Sequence, residues 1–404
     1  MINKTHHIIL KVCLLVLLMP IASQILAQTG MINMRNTGTL YVLPGNNMNT
    51  GRGFENTSTA QFRNNGTVWF LGDLKNEGVI DVIPGLKATP ALYRFEGTQT
   101  QQIMGNGITK LYSTLFNNPS TNAFTLSQEM YILHEANFTQ GVVKAFASGG
   151  IMVFEPGSLC INTSDASYLE GMAVKNGNTA FTFPIGNSGF HRPAMISAPA
   201  NNTDQFTAAY YFADPGHNGY NRSLTAYGIK NISNREFWVI NRTSGFSNVM
   251  VTLTWDCTKT SAAVPADITR LRIARWDGSM WVNEGNLVTS GNPVKGTITA
   301  NVTGYGVFSL CEISVKAIVD IAPNPFSNLT TISVKLPNEQ RVRLGVFTMM
   351  GREIATIVDD MLSEGTHNFI FSGGNLPPGT YLCRLTVIDG NDKEVITKQL
   401  LIVR

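Results

Sequence analysis

The chain has 404 residues, with 30 basic and 27 acidic side chains and 14% charged residues in all. A net charge of +3 over that length is too weak a field for a nucleic-acid binder or a protein drawn to anionic membranes. The 37 glycines, the abundant Asn and Thr, and the shortage of Glu and Lys for exposed helix faces point to β structure.

The first stretch, "MINKTHHIILKVCLLVLLMPIASQILAQTG", carries Lys4 and Lys11 ahead of an apolar run from Val12 to Met19, then Pro20 and small residues. That pattern is a secretory signal peptide, residues 1–27, too short and wrongly flanked for a transmembrane helix. Cleavage after Ala27 would leave Gln28 as the mature N-terminus, with Ser23 as the alternative site. No other segment has the length and apolarity to span a bilayer, so no transmembrane segment is expected. Four cysteines remain, Cys160, Cys257, Cys311 and Cys383, which is too sparse for a disulfide scaffold. Cys257 and Cys311 fall in one expected domain and could pair; two separate buried thiols are the favoured reading.

Residues 28–175 carry an imperfect repeat. "RNTGTLYV" (Arg35–Val42), "RNNGTVWF" (Arg63–Phe70) and "KNEGVIDV" (Lys75–Val82) each place a turn of Asn and Gly before an alternating strand. Recurring strand-and-turn units suggest a β-solenoid. The spacings of 28 and then 12 residues are uneven enough to leave an irregular β region open. Residues 176–312 read as a β-sandwich, from "AFTFPIGNSGFHRPAMIS" through "REFWVINRTSG" to "VTGYGVFSLCE", with turn signals between short alternating strands.

Residues 313–320 behave as a linker leading to Pro323 and Pro325, which fix φ and hold Ala322 and Asn324 extended. From 321 to 404 a new strand series starts, "TTISVKL", "RVRLGVFTM", "REIATIV", "THNFIFSG", "GTYLCRLTVID" and "EVITKQLLIVR". These fit a small immunoglobulin-like sandwich, and the fold class expected for the whole chain is all-β. Tyr381, Cys383, Leu385 and Val387 alternate onto one strand face, so Cys383 is expected to be a buried thiol.

This last segment resembles the type A C-terminal sorting domain of the type IX secretion system. The resemblance rests on "PNPF" (Pro323, Asn324, Pro325, Phe326), "MMGREI" with Gly351 and Arg352, "LPPGTYLCRL" with Gly379 and Tyr381, and the final "KQLLIVR" with Lys398, Leu401, Val403 and Arg404. Thr348 with Met349 and Met350, where the family often has Asp or Asn, and Cys383 are departures that preserve turn and alternation. The resemblance implies export of the folded protein by the type IX translocon to the outer surface of a Gram-negative cell. It also implies cutting by a sortase-like peptidase near Ile313–Ala322, with attachment of the new end to surface lipopolysaccharide.

Chemistry in residues 28–312 is hard to find. His134–Glu135 lacks a following HExxH, so His134 reads as an exposed turn residue. Asp165 and Glu170 are spaced for opposite strand faces rather than for a glycosidase pair. Ser188 in "GNSGF" reads as a turn, as do Asp214 and His217 in "DPGHNGY", which are the weak candidates for a ligand site. Trp276 and Trp281 flank an Asp-Gly turn, where one should be exposed and could stack on sugar rings, with core packing as the competing role. The expectation is therefore a non-enzymatic, adhesin-like or structural surface protein with no cofactor, no metal and no nucleic-acid partner. The alternative is a polysaccharide-binding or polysaccharide-degrading protein that uses the solenoid as its groove.

Overall fold

The computed structural model describes residues 34–84, 91–226, 228–258, 264–265, 267–313, 317–337, 339–389 and 392–403. The expected signal peptide with Ala27 and Gln28, and the terminal Arg404, lie outside the described residues. Among the described residues the protein is all-β, built of strands with two short 3-10 turns and no α-helix. No helix among them is long and apolar enough to cross a membrane.

The N-terminal region winds as a parallel β-solenoid. Its first coil is Met34–Asn36, Thr39–Val42 and Asn47–Asn49, and its second is Gly53–Asn56, Gln61–Asn64 and Thr67–Phe70. Each strand pairs in parallel with its counterpart one coil on, Met34 with Phe54, Leu40 with Phe62 and Met48 with Val68. Alternating side chains send one apolar set inward. Phe70, Phe95, Phe116 and Phe138 stack up that interior with successive ring centroids 5.0, 5.6 and 5.2 Å apart. Outside, Arg35, Glu55 and Lys75 share one register row, and Glu55 bridges both cations at 3.0 and 3.2 Å.

The repeat visible in the sequence is real, but its period is not the interval between the motifs quoted above. Asn36, Asn56 and Asn76 occupy one corner of successive coils, each 20 residues from the next. The middle copy, Glu55–Ser58, has Ser where its neighbours have Gly, which hid it. "RNNG" belongs to the next corner of its own coil, so the spacings of 28 and 12 compare two different corners across 40 residues. At the repeated corner Asn36 donates to Asn56, Asn56 to Asn76, and Asn76 to Thr109, each at 2.8 Å. Gly78 is required there, because a Cβ would stand 2.3 Å from the carbonyl oxygens of Thr57 and Ala60.

Met172–Asn176 ends the parallel winding. One edge pairs in parallel with Ile151–Phe154 and the other antiparallel with Gln205–Tyr211. The boundary expected after residue 175 thus falls within a strand that both regions share, and a single apolar core runs from Val42 to Leu310. Beyond it, Gln205–Tyr211, Phe237–Ser244, Gly306–Ile313 and Leu271–Trp276 continue the sheet. A second, antiparallel sheet holds Phe181–Phe183, Ala194–Ile196, Met250–Asp256, Lys295–Asn301 and Val288–Gly291. Cys311 is a fully buried, unbonded thiol in a small cluster with Ile229, Phe237 and Trp281, whereas Cys257 lies against the main core. The two are separate residues, and burial pushes the Cys311 thiol up to about 12.

The C-terminal domain sets a three-stranded sheet against a four-stranded one. Ile318–Ala322, Leu329–Leu336 and Gly365–Ser372 form the first; Glu353–Leu362, Gln340–Thr348, Gly379–Asp389 and Asp392–Ile402 form the second, in that order. Val334, Leu344, Cys383, Leu385 and Leu400 are buried in their shared core. Cys383 is the buried thiol its alternation predicted.

Candidate functional site

Strand register gathers the dispersed C-terminal motifs at one end of this domain. Thr348 pairs with Tyr381, and Tyr381 pairs with Leu400, so the three lie in one row across the sheet. The turn carrying Gly351 and Arg352 leaves directly from that row, closed by Gly351 N–H donating to Thr348 O at 2.9 Å. Gly351 has φ +83°, which suits glycine, and the turn lifts Met350 almost wholly into solvent. Gly379 pairs with Ile402 at the same end, and the Tyr381 hydroxyl donates to Pro377 O at 2.9 Å.

The "PNPF" segment lies along the terminal strand Asp392–Ile402. The Asn324 side chain donates to Gln399 O and accepts from Leu401 N–H, both at 2.8 Å. Phe326 N–H donates to Leu401 O at 3.0 Å, and Val403 N–H donates to Phe326 O at 2.9 Å. The Phe326 ring is buried edge-on to Phe371, with centroids 6.4 Å apart. Gly373 permits this approach, since a Cβ there would stand 2.9 Å from both the Phe326 ring and Ile402 Cδ1. Pro323 accepts from the Thr330 hydroxyl at 2.6 Å, while Pro325 and Lys398 are exposed. Asn324 was legible only as a motif letter; no sequence signal marks it as a side chain that pairs with a strand 75 residues away.

Elsewhere the candidates fare differently. His134 sits in the strand Glu129–Gln140 rather than in a turn, stacked on Tyr112 with centroids 4.9 Å apart at a register shift. Asp165 and Glu170 do not diverge: Asp165 accepts from His191 N–H at 2.7 Å and Glu170 from Ser188 N–H at 3.2 Å, so both carboxylates bind the same hairpin. Ser188 is a turn residue with φ +55°. The expectation that Trp276 or Trp281 is exposed is corrected: Trp281 is fully buried, and Trp276 is partly buried, edge-on to Trp281 at 5.8 Å and Tyr220 at 6.0 Å. The two indoles are a register pair across the hairpin and pack edge to face.

Asp214 and His217 line a surface cleft of about 540 Å³, with Arg222, Ser223, Lys230 and Asn231. Asp214 caps a 3-10 turn through Gly216 N–H at 2.7 Å and pairs with Arg222 at 2.8 Å. Desolvation alone would raise its carboxyl, but Arg222 and the Gly216 N–H together outweigh it and hold the carboxyl below the ordinary range. Lys230 pairs with Glu312 at 2.7 Å. Deep in the sandwich, Tyr210 donates to Glu236 at 2.7 Å beside Arg192 at 3.5 Å. Burial pushes the Glu236 carboxyl up. Among the described residues no group of His, Cys, Asp and Glu could hold a metal ion.

Residues 320–403 match the family model described as "Secretion system C-terminal sorting domain". No curated protein matches the chain. Such a tail implies export through the type IX system, contact with its machinery, and removal of the tail. Residues 320–403 are thus a type IX secretion C-terminal sorting domain, and the protein bearing them is secreted to the outer surface of a Gram-negative cell.

Proposed function

We propose that the exported portion is a non-enzymatic surface protein, adhesive or structural, that enters the periplasm by cleavage after Ala27. The observation that carries this reading is the state of its carboxylates. A general acid needs a raised pKa in an open cleft. Burial raises the Glu236 carboxyl, but Glu236 is sealed from solvent against Tyr210 and Arg192, out of reach of a substrate. Three of the solenoid's acids are engaged in cross-coil or local ion pairs, Glu55 with Arg35 and Lys75, Asp81 with Arg63, and Glu96 with Arg94. Stacked parallel coils joined by an aromatic core and a buried Asn ladder suit a rigid spacer or display surface.

The peptidase cut falls ahead of Ile318 within the expected Ile313–Ala322 window, because Ile318–Ala322 is paired along its length with Thr331–Lys335. The new end is then available for attachment to surface lipopolysaccharide. A polysaccharide-binding protein is the second reading, favoured by the cleft beside Asp214. Its charges are already paired, leaving a polar surface of the kind that sugar hydroxyls match.

The test is mass spectrometry of surface and medium fractions, beside a strain lacking Lys398–Arg404. The export reading expects a mature form that begins at Gln28, ends before Ile318, and disappears from the surface on truncation. Depolymerisation of envelope or host polysaccharide by the purified mature protein would overturn the non-enzymatic reading. Saturable glycan binding lost with Lys230→Ala would favour the second.

A further inference from the structure

We propose that "PNPF" is a clasp whose role is to hold the last residues of the chain as a strand, so that the sorting signal is a composite end of the domain rather than a linear tail. This rests on the sorting-domain reading. The strand Asp392–Ile402 is the outermost of its four-stranded sheet, and an edge strand presents a row of N–H and C=O groups that its sheet leaves unpaired. The strand's outward-facing groups at Gln399, Leu401 and Val403 are taken up by Asn324 and Phe326. Asn324 does this with one N–H and the oxygen of its side-chain amide, the same pairing that a backbone peptide would offer. Proline has no N–H to give a ladder, so at Pro323 and Pro325 the flanking backbone has no donor, and the Asn side chain supplies it. Phe326 then continues with its own backbone, forming a parallel bridge to Ile402. Its buried ring and the missing Cβ at Gly373 pin the segment down. Asn324 is thereby a positioning residue for the terminus, and the Gly351 turn, Gly379 and Tyr381 share the end that it completes.

The experiment is amide exchange on the full-length protein together with export from its native host, for Asn324→Ala, Asn324→Asp and Gly373→Ala. Loss of both side-chain bonds in Asn324→Ala should speed exchange at Leu401 and Val403 by about tenfold. Protection at Leu385 and Val387 in the core should hold, and export should fall several-fold. Asn324→Asp keeps the acceptor for Leu401 and loses the donor to Gln399, so it should lie between Asn324→Ala and wild type. Gly373→Ala should reproduce the Asn324→Ala phenotype without touching Asn324, and it decides the matter if Asn324→Ala unfolds the domain. Wild-type export with a loosened Leu401 amide would overturn the clasp. So would lost export with an unchanged Leu401 amide, which would mean that Asn324 is read directly. Normal export after deleting Lys398–Arg404 would instead defeat the sorting reading on which the clasp rests.

Discussion

Asn56 donates to Asn76 across one coil of the solenoid at 2.8 Å while it accepts from Asn36 at the same distance. It is fully buried and links one coil to the next. Asn56→Ala removes both of these bonds from a fully buried site, while Asn36 keeps its bond to Gln61 O and Asn76 its bond from Gly78 N–H, and should cost about 1–3 kcal/mol. Asn47→Ala, at an exposed position on the first coil, should stay within about 0.5 kcal/mol. Urea melts of the two variants make the comparison, and equal midpoints would mean that the ladder contributes nothing beyond the coil stacking.

Acid sensitivity should trace in part to His191. Burial holds its imidazole at about 4, below the ordinary 6.5. On acidification the unfolded chain therefore takes up this proton before the folded protein does. The neutral imidazole's contribution to stability is complete above about 6.5 and is lost as the pH falls toward about 4. Denaturant midpoints for wild type and His191→Gln at pH 7 and pH 4.5 should show a smaller acid drop in the variant. Parallel curves would remove His191 from the account.

Cys383 should behave as an apolar side chain. Burial pushes its thiol up to about 12 and the surrounding core is apolar, so alkylating reagent at pH 8 should leave it unmodified until the domain unfolds. Cys383→Ser brings a hydroxyl into that core and should destabilise the domain by about 1–3 kcal/mol. Rapid modification of native Cys383, read by peptide mass, would contradict its packing.

Trp276 supports its neighbours rather than presenting a platform. It lies between Trp281 and Tyr220 with centroids 5.8 and 6.0 Å away. Trp276→Ala should lower stability by about 2 kcal/mol through the cavity it leaves. Titration with soluble glycans should leave indole emission unchanged in wild type. Quenching that disappears in Trp276→Ala would restore a stacking role.

The sequence by itself determined the all-β class, the turn chemistry and the C-terminal motifs, because alternation, Asn-Gly turns and proline constraints act over a few residues. Cys383 on the inner face was legible for the same reason. The tertiary structure decided what depends on pairing between distant segments. The 20-residue coil was hidden because Glu55–Ser58 keeps the Asn of the corner but not its Gly. The convergence of Asp165 and Glu170 on one hairpin, and the closing of Trp281 behind Trp276, follow from strand register that no local pattern encodes. The contact of Asn324 with Leu401 is the clearest case. Each residue was visible as a motif letter, but a hydrogen bond spanning 77 positions exists only once the sheet has set their distance.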